Sequence, residues 1–178
     1  MRIITGKFKK ANLIMVKGHN TRPTTDYIKE VIFSVIGDCA DKFILDLYAG
    51  SGSLGLEAVS RGAAGAVFVD AAEGAVRCIR QNIEKLKCSE FCQIRKTRAS
   101  AFLYSTTEKF DLIFLDPPYQ KNLVNPAISL ILDGDILSPG GQLVIERSRF
   151  EKLDKTWLEL IEYDKEFGDT AVTVINKC

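Results

Sequence analysis

Apolar positions follow two rhythms along this chain. Short unbroken runs at Phe43-Ile44-Leu45-Asp46-Leu47, Ala66-Val67-Phe68-Val69-Asp70, Leu112-Ile113-Phe114-Leu115 and residues 142–146 have the length and content of strands buried on both faces. Between them, apolar residues recur every three or four positions, as helices require. One such set is Ile28, Val31, Ile32, Val35 and Ile36; a second is Ala75, Val76, Ile79, Ile83 and Leu86; a third is Leu123, Ala127, Ile128, Leu130 and Ile131. Thr24 or Thr25 suits the N-cap of the first helix, with Asp26 in its first turn and Gly37 past its end. Residues 91–95 read as a further strand, followed by a short helix after Thr97-Arg98-Ala99-Ser100, and Ser138-Pro139-Gly140-Gly141 reads as a turn. At the ends, residues 2–5 and 13–16 predict a β-hairpin or a strand pair with a basic tip at Gly6-Lys7-Phe8-Lys9-Lys10. Residues 158–165 and 170–176 predict a closing hairpin with Phe167-Gly168-Asp169-Thr170 as its turn. Strands alternating with helices predict an α/β doubly wound sheet.

Length fits one domain with one core. The expected division is a basic N-terminal β arm over residues 1–22 and a core over 23–178. The sequence has no transmembrane-length apolar run and no signal-peptide pattern at its start, so a cytoplasmic protein with no membrane partner is expected. The five cysteines, Cys39, Cys78, Cys88, Cys92 and Cys178, lack metal or disulfide spacing, and His19 is the single histidine. Free thiols and no metal are therefore expected. Net charge is only +1, but it is unevenly spread. Residues 1–30 hold seven Lys and Arg against Asp26 and Glu30, and the remainder is mildly acidic. A basic arm points to an anionic partner, with a plain solvated hairpin as the alternative.

Candidate chemistry concentrates at strand ends. The run Leu112-Ile113-Phe114-Leu115 closes in Asp116-Pro117-Pro118-Tyr119. Neither proline has an N–H, so the tetrapeptide offers a carboxylate and carbonyls, all acceptors, beside an aromatic ring. That set suits a planar ring bearing an exocyclic amine, whose two hydrogens would meet Asp116 and the Pro117 carbonyl while Tyr119 stacks. After the first strand, Gly50-x-Gly52-x-x-Gly55 opens a helix, which lets backbone approach a ligand. Asp70 ends the second strand, where a carboxylate can take ribose hydroxyls or cap the next helix. The glycines and Asp70 alone leave a nicotinamide oxidoreductase open.

Three stretches in this order carry a resemblance. Asp116-Pro117-Pro118-Tyr119 resembles the [DNS]-P-P-[YF] signature of the amino-methyltransferases, which use S-adenosylmethionine. Arg22-Pro23-Thr24-Thr25-Asp26 with Ile28, Lys29 and Glu30, and the phrase running from Asp46 through Tyr48-Ala49-Gly50-Ser51-Gly52 to Leu54-Gly55 and Glu57-Ala58, resemble the bacterial 16S ribosomal RNA guanine-N2 methyltransferase family. The chain departs at Tyr27, where that family usually carries Arg, at Ser34, where it commonly carries Asn, and at Arg98, where it usually carries Asp or Asn. The resemblance implies a Rossmann-like sheet of order 3-2-1-4-5-7-6 with strand seven antiparallel. It implies cofactor contacts from Asp46, Tyr48, Ala49, Gly50, Ser51, Gly52, Asp70, Ala71 and Ala99, and catalytic roles for Asp116, Pro117 and Tyr119. RNA contacts are expected from Lys7, Lys9, Lys10, Arg22, Thr24 and Pro118. The expected partner is 16S rRNA or the small ribosomal subunit, met by a monomer. Two alternative classes stay open: an amino-methyltransferase acting on DNA adenine or cytosine or on a protein glutamine, and a non-enzymatic RNA-binding protein or a nicotinamide oxidoreductase.

Overall fold

A computed structural model of the chain describes residues 1–16, 26–119 and 121–177. Seven strands form one sheet: β1 (Phe43–Leu47), β2 (Gly65–Asp70), β3 (Cys92–Lys96), β4 (Phe110–Leu115), β5 (Leu137–Ser148), β6 (Ile161–Phe167) and β7 (Thr170–Asn176). Their order is β3-β2-β1-β4-β5-β7-β6. The first five run parallel, and β7 is antiparallel to both its neighbours. The helices are α1 (Asp26–Ile36), α2 (Ser53–Ser60), α3 (Glu73–Leu86), α4 (Ala99–Ser105) and α5 (Val124–Asp133). The expected sheet is therefore present, strand order included.

Side chains alternate across the strands, which gives two cores. Ile44, Ala66, Phe68, Leu112 and Phe114 face α1, α2 and α3. Leu45, Val67, Ile113, Leu115 and Ile145 face α4 and α5. Strands covered on both faces carry no polar side, which is why they read as unbroken apolar runs. Asp46 is the exception inside β1. It lies among the first set and is 2% exposed.

One local expectation changes and another narrows. The Ser138-Pro139-Gly140-Gly141 turn lies inside β5, which begins at Leu137. Gly140 N–H donates to the Lys177 carbonyl at 2.7 Å and Lys177 N–H to Gly141 at 3.0 Å, so the glycines extend the β5–β7 ladder as an irregular stretch. The N-terminal strand pair is a short antiparallel hairpin: Arg2 bridges Asn12, Ile3 N–H donates to the Ala11 carbonyl at 2.9 Å and Leu13 N–H to the Met1 carbonyl at 3.0 Å. Beyond that pairing its backbone binds side chains of α2 and α3. Ile4 and Thr5 N–H donate to the Glu57 carboxylate at 2.7 and 2.9 Å, and Phe8 N–H donates to Ser60 Oγ at 2.9 Å. Asn82 accepts from Ile14 N–H at 2.7 Å and donates to the Ile14 carbonyl at 3.0 Å. Ile3 and Leu13 are buried beneath the arm. Gly6 lies so close to α2 that a Cβ there would fall 1.8 Å from the Ser60 carbonyl oxygen.

Candidate active site

Strand register brings the singled-out residues to one end of the sheet. Leu47 is level with Val69 on one side and with Leu115 on the other. Tyr48, Asp70 and Asp116 therefore leave the sheet side by side, at the carboxyl ends where open α/β sheets bind ligands.

The loop after β1 is held by backbone bonds and by Asp70. Ala49 N–H donates to the Val69 carbonyl at 3.2 Å, and Gly52 N–H to Ala49 at 2.7 Å. Asp70 Oδ2 accepts from Gly50 N–H at 2.9 Å and Oδ1 from Ala72 N–H at 2.8 Å. Asp70 thus braces both the loop and the chain leading into α3, and its carboxylate retains acceptor capacity. Gly50 has a φ of 56° with only the Tyr48 carbonyl near a would-be Cβ, at 3.9 Å, so a ligand can approach the backbone there. Tyr48 has a φ of 58°, which is costly for a side chain of this size. Gly55 serves packing: a Cβ would come within 2.4 Å of the Phe68 ring.

Asp46 sits beneath this loop. Its Oδ2 accepts from Gly55 N–H at 2.9 Å. Burial pushes its carboxyl up to about 8, the Gly55 bond works against that, and the Asp70 charge adds to it. Among the described residues neither aspartate has a cation beside it. Asp70 and the buried Asp46 carboxyl, with no counter-charge among the described residues, suit a ligand that brings cations of its own and so favours the ionised form of Asp46. S-adenosylmethionine carries a sulfonium and an ammonium and fits this set. A pyrophosphate-bearing nicotinamide cofactor would put anions next to Asp46 and fits less well. Ser51 and Gly52 are buried in the loop, Ala71 is exposed just past β2, and Ala99 opens α4, whose first-turn N–H groups lack partners within the helix.

Across from the loop, Asp116 and Pro118 are partly exposed and Pro117 is buried. The Tyr119 hydroxyl shares a 2.8 Å hydrogen bond with Thr170 Oγ1, on the first residue of β7. Thr170 is 1% exposed, so the ring is tethered to a fixed point. Lys7, Lys9 and Lys10 are exposed on the arm and gather with neither aspartate nor the tetrapeptide. Arg22 and Thr24 lie outside the described residues, as do the proposed N-cap and His19. Cys39, Cys78, Cys88 and Cys92 are free thiols. Among the described residues no cluster of three or more His, Cys, Asp or Glu could hold a metal, and no helix is long and apolar enough to cross a membrane.

Sequence reasoning passed over a cluster that joins two of its own motifs. Lys29 and Glu57 form an ion pair at 3.4 Å with both side chains fully buried. Lys29 Nζ also donates to the Arg2 carbonyl at 2.5 Å and to Ser53 Oγ at 3.3 Å, and Arg61 meets Glu57 at 2.9 Å. Lys29 belongs to the stretch that begins at Arg22, and Glu57 to the glycine-loop phrase. Their one signal in sequence is a charged residue on the apolar face of each helix. Thr170 was visible only as part of a turn.

The family model described as conserved hypothetical protein 95 matches residues 1–176 of this chain. YlbH of Bacillus subtilis (strain 168), named as a candidate rRNA methyltransferase, is 37% identical over 182 residues, covering 99% of each chain. Ribosomal RNA small subunit methyltransferase D of Haemophilus influenzae is 33% identical over 157 residues, covering 86% of this chain and 81% of its own. Among solved structures, Escherichia coli yhhF, named as a candidate methyltransferase, superposes with a TM-score of 0.87 at 29% identity, covering 99% of this chain and 97% of its own. With its sheet order, its glycine loop and its Asp116-Pro117-Pro118-Tyr119 strand end, the chain belongs to the conserved hypothetical protein 95 family, that of the bacterial small-subunit rRNA methyltransferases.

Proposed function

We propose that this chain is an S-adenosylmethionine-dependent methyltransferase that modifies the exocyclic N2 of a guanine in 16S rRNA. The observation that carries the reading is the juxtaposition at the strand ends. An open glycine loop over two aspartates, with no cation beside them among the described residues, adjoins an acceptor-rich tetrapeptide with a tethered aromatic ring. The rRNA part is supported by the names of the relatives, and the guanine N2 by the resemblance of the Arg22-Pro23-Thr24-Thr25-Asp26 stretch and the glycine-loop phrase.

When bound, the cofactor supplies a methyl group on a sulfonium. The chain's own residues bind and orient. In this reading Asp70 would receive the ribose hydroxyls, and Asp46, beneath the glycine loop, would support the methionine end of the cofactor. Asp116 and the Pro117 carbonyl would accept the two amine hydrogens. A guanine amine is a poor nucleophile because its lone pair is spread into the ring. Holding both hydrogens turns that lone pair toward the methyl, so catalysis is orientation and electrostatics. Tyr119, held by Thr170, would replace the stacking lost when the base leaves its neighbours. Residues 23–178 are read as the catalytic core and 1–22 as an arm.

The test incubates the protein with methyl-labelled S-adenosylmethionine and, in parallel, small ribosomal subunits, free 16S rRNA and DNA. Nuclease digestion then identifies the labelled nucleoside. N2-methylguanosine from rRNA or from the subunit is the expected product. Label in N6-methyladenine, in N4-methylcytosine or in protein would replace the guanine assignment.

A further inference from the structure

The turn at residues 167–170 is a junction that the catalytic assignment uses only at Thr170. Next to it, the Asp169 carbonyl accepts from Arg149 N–H at 3.0 Å, and the Asp169 carboxylate lies 3.8 Å from the Arg149 guanidinium. Phe167 meets Tyr27 edge to face at 5.9 Å. Arg149 in turn covers the ring of Phe150 at 4.6 Å. Ser148 pairs with Thr170 in the β5–β7 ladder, so Arg149 and Phe150 leave the sheet beside the residue that tethers Tyr119.

Phe150 is 71% exposed, so burial does not explain its ring. Its backbone, by contrast, is firmly held. Arg147, 7% exposed, donates from Nη1 to the Glu151 carbonyl at 2.9 Å, and from Nη2 to both Asp164 oxygens at 2.8 and 3.0 Å. Phe150 N–H donates to Ser148 Oγ at 3.3 Å, and the Glu151 carboxylate accepts from Val124 N–H at the start of α5. A rigid turn therefore presents an aromatic ring, backed by a guanidinium, to solvent at the catalytic end of the sheet. The 3.8 Å approach to Asp169 is a weak, half-exposed pairing and leaves the guanidinium able to meet a phosphate. A π-face with an adjoining cation matches an unpaired nucleobase and its backbone.

We propose that Phe150, backed by Arg149, is a second base-stacking site, taking an unpaired RNA base that neighbours the base being methylated. It rests on the reading of RNA as substrate.

The test measures binding of a short single-stranded RNA carrying 2-aminopurine, whose fluorescence is quenched on stacking, to the parent, Phe150→Ala and Phe150→Trp. Expected are quenching by the parent, an affinity loss of roughly 5- to 150-fold in Phe150→Ala at unchanged melting temperature, and recovery in Phe150→Trp. Equal affinity and quenching in the parent and Phe150→Ala would overturn the stacking site and leave the methyltransferase reading untouched. Absence of RNA binding by the parent would overturn it too, and labelled-methyl transfer to rRNA then decides whether the broader reading survives.

Discussion

Asp116 and Asp46 lie on neighbouring strand ends and differ in what surrounds them. Asp116 is partly exposed, and in the proposed mechanism its partner is the substrate amine. Asp116→Ala is expected to stay folded, bind cofactor as the parent does, and lose about 10²–10³-fold in single-turnover methyl transfer. Parent-rate transfer in that variant would remove Asp116 from the mechanism. Asp46 is sealed beneath the glycine loop, with its carboxyl at about 8 instead of 3.8. Between those values the folded chain keeps a proton that the unfolded chain releases, so this group costs stability as pH rises through that window. Asp46→Asn keeps an acceptor for Gly55 and has no such titration. The melting temperature of the parent relative to Asp46→Asn is therefore expected to fall as pH rises from about 4 to about 8. A pH-independent difference would show that Asp46 is not held protonated.

At the scale of elements, the N-terminal arm and the α1–α2 contact depend on one buried carboxylate. Glu57 receives two arm amides, Lys29 from α1 and Arg61 from the C-terminal cap of its own helix. Removing one partner of a buried pair leaves the other charge stranded, so Glu57→Ala should destabilise the fold by about 3–5 kcal/mol in denaturant titration. A loss under about 1 kcal/mol, typical of exposed pairs, would mean that water reaches this pair. The arm's lysines are a separate matter, because docking runs through its backbone while Lys7, Lys9 and Lys10 stay exposed. Reversing those three charges is expected to lower the salt dependence of RNA binding without loosening the arm, read as an unchanged melting temperature. An unchanged salt slope would make the arm a brace only. These elements also show where sequence reading stops. The strands and long helices were legible because burial on both faces, or on one helical stripe, leaves a period in the sequence. The arm pairs over a shorter span than its β-prone residues at 2–5 and 13–16 suggest, because the amides of Ile4, Thr5 and Ile14 meet Glu57 and Asn82 while those of Ile3 and Leu13 meet the facing segment. Ser138-Pro139-Gly140-Gly141 was misjudged for a related reason: local turn chemistry gave way to pairing with Lys177, which only the finished sheet supplies.

For the molecule as a whole, sheet order places five carboxyl ends in a row, and the two aspartates under the glycine loop would favour a ligand that carries positive charge. S-adenosylhomocysteine, which keeps the ammonium, is expected to raise the melting temperature, by an amount equivalent to about 2.7 kcal/mol at a hundred times its Kd, while NAD leaves it unmoved. Stabilisation by NAD alone would reverse the cofactor assignment. Of the candidate site, the strand-end tetrapeptide and the glycine loop were legible as compound motifs, whereas Thr170 and Lys29–Glu57 required distance across the fold. That distance has a temporal side. Ile4 and Thr5 bind a residue more than fifty positions later, and Ile14 one sixty-eight positions later. Synthesis past Leu86, the end of α3, supplies Glu57, Ser60 and Asn82, while β3 to β7 are still to come, so the arm's bonds to α2 and α3 can close before the sheet does.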